Sequence, residues 1–271
     1  MAPSPLLTVM INAARKGARA IRRDFGEVET LQVSLKGPAN FVTKADKRAE
    51  QVIRDELAKA RPTYGFLMEE SGETKGTDGQ HRWVVDPIDG TTNFIHGIPH
   101  FGISIGLERA GEPVAGVIYN PIVDELFAAE KGRGAFLNDR RLRVAGRKSL
   151  ADSVIACGIP HLGRGDHVRF RAELTRVQSK AAGIRRFGAA SLDLAWVAAG
   201  RIDGYWERGL KPWDICAGIV LIREAGGTVG DPDGSADPMT TGDVLASNGE
   251  LFGQIRAELT AGTAEAARAA S

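Results

Sequence analysis

The run at 83–94, Trp-Val-Val-Asp-Pro-Ile-Asp-Gly-Thr-Thr-Asn-Phe, constrains this chain more than any other stretch. Asp86 and Asp89 stand three residues apart where an apolar, strand-like run ends, and a Gly-Thr-Thr-Asn turn follows. The segment holds no basic residue to pair with either carboxylate. Two such carboxylates repel unless a cation sits between them. The turn offers backbone N–H groups and hydroxyls that suit a phosphate. Asp-Pro and Asp-Gly are also ordinary turn formers, and taken alone they predict only a turn. The whole run predicts a site for metal and phosphate together.

Composition sets the frame. The chain has 271 residues, 43% hydrophobic and 25% charged, which suits a folded protein with a sizeable core. Its 35 basic and 34 acidic residues leave a net charge of +1, so there is no electrostatic case for a nucleic-acid partner. Arg15, Lys16, Arg19, Arg22 and Arg23 cluster, but they read as the solvated face of a helix. Cys157 and Cys216 lie among apolar neighbours and make no disulfide framework. There is no apolar run long enough for a transmembrane helix, and the N-terminus lacks a signal-peptide pattern. The expected location is the cytoplasm, with no membrane association.

Apolar spacing predicts helices over 6–25 and 43–61, with a loop or loosely held hairpin over 30–42 between them. A short apolar run at 65–68 stops at Glu69-Glu70. Strands are expected at 101–107, 114–119, 125–129 and 135–144, joined by short turns as in an antiparallel sheet. Beyond them come strands at 154–157, 184–187, 203–207, 228–229 and 244–246. Helices are expected at 167–180, 191–199, 212–225 and 249–259. The pattern reads as an α+β lobe over 1–145 and an α/β lobe over 146–262. The Ala-rich end, 263–271, reads as a frayed or disordered tail.

The segment Asp86-Pro87-Ile88-Asp89-Gly90-Thr91-Thr92-Asn93-Phe94 resembles the signature of the inositol monophosphatase family of metal-dependent phosphatases. Four further segments match that family in order. Glu69-Glu70-Ser71 follows the apolar run. Trp213-Asp214-Ile215-Cys216-Ala217-Gly218 leads to Glu224-Ala225-Gly226-Gly227. Asn40-Phe41-Val42-Thr43-Lys44-Ala45-Asp46 precedes both, and Gly188-Ala189-Ala190-Ser191 is followed by Glu207. Alone, Asp214 reads as an acid complementing a helix dipole, and Thr43 with Asp46 as a capping box. Ala189 and Ser191 depart from the family's usual order there.

The resemblance implies a layered αβαβα sandwich, shared with fructose-bisphosphatases, with the active site between the lobes. It implies metal binding by Glu69, Asp86, the Ile88 carbonyl, Asp89 and Asp214. An oxygen-only set of this kind favours Mg²⁺ over zinc. Two cations sharing Asp86 are expected roughly 3.5–4 Å apart. Thr91, with Asp46 or Glu69 behind it, is expected to orient the attacking water. The Gly90 and Thr91 N–H groups are expected to hold phosphate. Gly188, Ala189, Ala190 and Glu207 are expected to meet the hydroxyls of the alcohol, together with Asp89 and Asp214. Lys36 corresponds to a family lysine on a loop that can approach the site. The implied reaction is hydrolysis of a small phosphate monoester, myo-inositol 1-phosphate, by a lithium-sensitive homodimer. Histidinol phosphate, fructose 1,6-bisphosphate and 3′-phosphoadenosine 5′-phosphate are the alternative substrates. A scaffold protein that keeps the fold is the alternative from another class.

Overall fold

The computed structural model describes residues 3–25, 33–37, 40–161, 163–234 and 236–270. Helix α1 (Pro5–Phe25) buries Leu7, Met10, Ala14, Ala18 and Ile21 along one stripe, as the helical spacing predicts. The five clustered basic residues lie on its exposed faces. Helix α2 (Lys44–Ala60) packs on it closely. A Cβ at Gly17 would fall 2.8 Å from Ile53 Cγ1. Between the two helices, β1 (Val33–Gly37) and β2 (Asn40–Thr43) pair as an antiparallel hairpin. The Lys36 and Thr43 side chains, one expected near the site and one expected to cap α2, lie outside the described residues.

The larger sheet is built from β3 (Gly65–Met68), β4 (Gly72–Thr74), β5 (His81–Asp89), β6 (Gly102–Arg109), β7 (Glu112–Asn120), β8 (Glu125–Glu130), β9 (Gly134–Leu137) and β10 (Arg140–Arg141). Its order among the described residues is β10-β9-β8-β7-β6-β5-β3-β4. Every pairing is antiparallel except that of β3 with β5. The single strand expected over 135–144 is instead a hairpin. Asn138 turns the chain at φ 51°, a left-handed conformation that Asn tolerates better than most residues.

The smaller sheet orders β12 (Gly183–Arg185), β11 (Val154–Cys157), β13 (Gly204–Glu207), β15 (Val244–Ser247) and β14 (Thr228–Gly230). Helices α5 (Ala190–Ala198) and α6 (Pro212–Glu224) lie between the two sheets and are buried nearly all round. That explains their weak amphipathic pattern, since a helix covered on both sides needs apolar residues on every face. Helices α4 (His167–Gln178) and α8 (Gly249–Ala270) pair on the outer side of the smaller sheet, and the short α7 (Pro238–Thr241) precedes β15. The layers are therefore helix pair, sheet, helix pair, sheet, helix pair, as expected.

The expected frayed tail at 263–271 is corrected over its described part, 263–270. Helix α8 continues to Ala270 because α4 holds it. Thr263 Oγ1 donates to Glu173 Oε1 at 3.0 Å, and Arg176 pairs with Glu265 at 2.6 Å. Gly262 lets the helices approach, since a Cβ there would lie 2.7 Å from Glu173 Cα. None of these partners is local in sequence.

Candidate active site

Residues three apart on a regular strand point to opposite faces. Asp86 and Asp89 escape this because β5 carries a bulge. Asp86 pairs with Ser104 and Asp89 with Gly102, so three steps on β5 oppose two on β6. The extra residue turns both carboxylates to one side. Asp86 Oδ1 accepts from Ile88 N at 2.8 Å, which fixes the bulged segment. The chain then turns at Gly90 (φ 89°) into the short helix α3 (Thr91–Ile95). Sequence reading expected only a turn here. Glycine is required twice over at position 90. The φ is left-handed, and a Cβ would press on Ala189 Cβ at 3.0 Å and His100 O at 3.2 Å.

Two other elements complete the acidic cluster. Glu69 follows β3, and its N–H bonds Val85 O at 3.1 Å, which sets its side chain beside Asp86. Asp214 sits in the first turn of α6, where its Oδ2 accepts from Lys211 N at 2.8 Å. Ser104 Oγ donates to Trp213 O at 2.9 Å and ties that turn to the strand opposite Asp86. Asp214 therefore caps its helix and also joins the acidic cluster. Asp86, Asp89 and Asp214 each offer an oxygen within 4.8 Å of the others.

A cavity of about 170 Å³ opens over this cluster. Its walls include Glu69, Asp86, Ile88, Asp89, Gly90, Thr91, Gly188, Ala190, Glu207 and Asp214. Of the expected site residues, Asp46 and Ala189 are outside that lining. Asp46 is fully buried in the first turn of α2, and Ala189 is buried under Gly90. Thr91 Oγ1 donates to Ile88 O at 3.0 Å, so the carbonyl expected to bind metal already has one partner. A carbonyl has a second lone pair to give.

Burial pushes the Asp86 carboxyl well above the usual carboxylate range, and the charges of Glu69, Asp89 and Asp214 push the same way. Asp214 is raised for the same reasons, burial first and Asp89 next, against the pull of the Lys211 N–H. Asp89 is pushed up to about 6 by burial, while Ser191 draws it back through N–H and Oγ bonds of 2.7 and 2.5 Å to Oδ2. A bound cation would relieve this repulsion, and without one the cluster is relieved by taking up protons. The oxygen-only donors of the cluster fit a hard divalent ion.

Sequence reading missed Ser191 as a partner of Asp89, and also the walls formed by His161, Arg164 and Arg186. A serine opening a helix was a visible signal for the first. The others lie on loops with no pattern to mark them.

Glu207 ends β13 and faces the cavity from the smaller sheet. Tyr205 Oη donates to its Oε2. A Cβ at Gly158 would land on the Glu207 carboxylate, so glycine there leaves it room. Burial pushes Glu207 up to about 7. A carboxyl raised in the fold favours the folded state below its unfolded value near 4.5, and that advantage drains away as pH rises to about 7. Glu207→Gln removes the slope. In EDTA, the Tm difference should move in the variant's favour between these pH values and then level off. The plateau is expected at about 3 kcal/mol. A difference that does not change with pH would refute the raised carboxyl.

The chain's similarities agree with this geometry. Residues 2–270 match the model of the inositol monophosphatase family. An inositol-1-monophosphatase of Mesorhizobium japonicum is 62% identical over 92% of this chain and 93% of its own length. The Nus factor SuhB of Escherichia coli is 43% identical over 90% of this chain and 91% of its own. The crystal structure of the extragenic suppressor protein suhB from Bartonella henselae superposes with a TM-score of 0.92 at 55% identity, covering 94% of this chain and 98% of that one. With the family model spanning nearly every residue and the metal-type cluster in place, the chain belongs to the inositol monophosphatase family.

Proposed function

We propose that the protein is a Mg²⁺-dependent phosphomonoesterase that hydrolyses myo-inositol 1-phosphate to inositol and phosphate. The observation that carries this reading is the single cavity onto which Glu69, Asp86, Asp89 and Asp214 converge, with Glu207 in its wall. The name of the Mesorhizobium relative supports the substrate.

In this reading Glu69, Asp86, Asp89, Asp214 and the Ile88 carbonyl hold the metal. When bound, Mg²⁺ supplies charge neutralisation at the phosphoryl group and makes hydroxide accessible near neutral pH. The Thr91 hydroxyl spends its proton on Ile88 O, so its lone pairs are left to accept from the attacking water. Glu69 lines the cavity and is better placed than Asp46 to support that water. The Gly90 and Thr91 N–H groups hold the phosphate. Gly188, Ala189, Ala190 and Glu207, with Asp89 and Asp214, position the alcohol. The two lobes, 1–145 and 146–262, meet at this cavity. A cytoplasmic, lithium-sensitive homodimer belongs to the same reading. Two buried free cysteines and the lack, among the described residues, of a helix long and apolar enough to cross a membrane are in keeping with it.

The test is phosphate release from inositol 1-phosphate with and without Mg²⁺. Histidinol phosphate, fructose 1,6-bisphosphate and 3′-phosphoadenosine 5′-phosphate are run beside it. A kcat/KM at least about tenfold above the others, some 1.4 kcal/mol of preference, is the expected result. A different preferred ester would keep the metal chemistry and overturn the substrate. No Mg²⁺-dependent release from any ester would favour the scaffold reading.

A further inference from the structure

The acidic cavity does not end at Glu207. It runs into a groove of about 500 Å³ between residues 158–161 and 164–166, α4 and the end of β13. Glu207, Leu210, Ile159 and Arg164 border both spaces. Inorganic phosphate and one polyol ring do not need the groove, and its size is that of a small-ligand site in its own right.

Its walls are of two kinds. One is apolar. Half-buried Phe170 lies over Trp206 with ring centroids 6.4 Å apart, and Ile159 is 41% exposed at the rim. The other is polar and incompletely bonded. Trp206 and Glu173 are each 1% exposed. The Trp206 Nε1 donor and the Glu173 Oε2 acceptor have no hydrogen-bond partner, while Glu173 Oε1 takes Arg169 Nε, Arg208 Nε and Thr263 Oγ1, each at 3.0 Å. Leaving a buried donor or acceptor unpaired is costly, and an occupant that reaches either one recovers part of the cost.

A hydroxyl is one group that can accept from an indole N–H and donate to a carboxylate. An aromatic face with flanking arginines suits the C–H face and hydroxyl rim of a sugar. We propose that the groove is a subsite for a second hydroxylated ring. The preferred substrates would then include phosphate monoesters of glycosylated polyols or disaccharides, with the phosphorylated ring in the acidic cavity and its neighbour against Phe170. The proposal rests on the phosphatase reading of the acidic cavity.

Matched pairs test it. Phosphate release is measured for trehalose 6-phosphate, and for sucrose phosphorylated at C6 of its glucose ring, each against glucose 6-phosphate, with inositol 1-phosphate as reference. At least one two-ring ester should exceed its one-ring parent in kcat/KM by about tenfold. Phe170→Ala should cut that ratio by at least about fivefold and leave turnover of glucose 6-phosphate within about twofold. An equal loss on both esters would make Phe170 a packing residue and overturn the subsite. No gain for either two-ring ester, with inositol 1-phosphate still hydrolysed, would overturn it while sparing the phosphatase reading. A gain confined to adenosine 2′-monophosphate over its one-ring parent, ribose 2-phosphate, would assign the groove to a nucleobase and overturn the sugar class. Failure of every ester would instead remove the reading beneath it.

Discussion

Asp214→Asn is expected to lose about a thousandfold in Mg²⁺-dependent turnover while the metal-free protein becomes more stable. The two effects have one cause. Asp214 shares a 4.8 Å cluster with Asp86 and Asp89, and burial, then the Asp89 charge, holds its carboxyl well above the usual range. A carboxyl raised in the folded state costs stability as pH climbs above its unfolded value, about 4. Asparagine removes the charge and keeps the oxygen that accepts from Lys211 N, so the cap of α6 survives. In EDTA the variant's Tm relative to the parent's should rise as pH goes from 4 to 7. Adding Mg²⁺ should raise the parent's Tm and move the variant's much less. Turnover within tenfold of the parent would refute the assignment of Asp214. A variant less stable than the parent in EDTA at pH 7 would refute the repulsion argument.

How much of this site was legible in the chain depends on what each part leans on. Asp86, Asp89, Glu69 and Asp214 were marked by local strings, because each sits at a strand end or helix start whose turn chemistry is local. The bulge that turns Asp86 and Asp89 the same way was not, since it exists only in the register of β5 against β6. Helix α3 was hidden behind its own Gly-Thr-Thr-Asn opening, which is equally good turn chemistry. The strand expected over 135–144 failed at Asn138, where Asn-Asp was a visible hairpin signal that continued apolar alternation outweighed. The last turns of α8 read as frayed because their support comes from Glu173 and Arg176, some ninety residues away. The fold's middle layer was legible for a different reason. Helices buried on both sides lose their stripe, and Pro212 and the glycines after Glu224 still bounded α6.

Two other glycines, Gly106 and Gly116 beneath α6, carry the second large effect, a loss of stability that also reaches the site. Gly106 on β6 pairs directly with Gly116 on β7, and together they make a bare patch under α6. A Cβ at Gly116 would lie 2.6 Å from Ala217 O and 2.7 Å from Ala217 Cα, which is helix backbone. A Cβ at Gly106 would instead strike the Cys216 side chain, with Cβ at 2.8 Å. Gly116→Ala must therefore lift α6 bodily, and α6 carries Asp214 at its first turn. Overpacking of this kind costs about 3 kcal/mol, or roughly 6–12 °C in Tm for a chain of this size. Turnover should fall with it, because a displaced Asp214 no longer closes the cluster. Gly106→Ala should cost less, and Cys216→Ala should partly restore it by removing the Sγ in the way. The same Cys216→Ala should do nothing for Gly116→Ala, whose clash is with main chain. The two double mutants thus differ in coupling: favourable for Gly106 with Cys216, near zero for Gly116 with Cys216. Thermal melts of the five variants decide it. Equal rescue in both doubles would mean that α6 yields as a soft body, and the glycine patch would then not be what sets the height of Asp214 above the sheet.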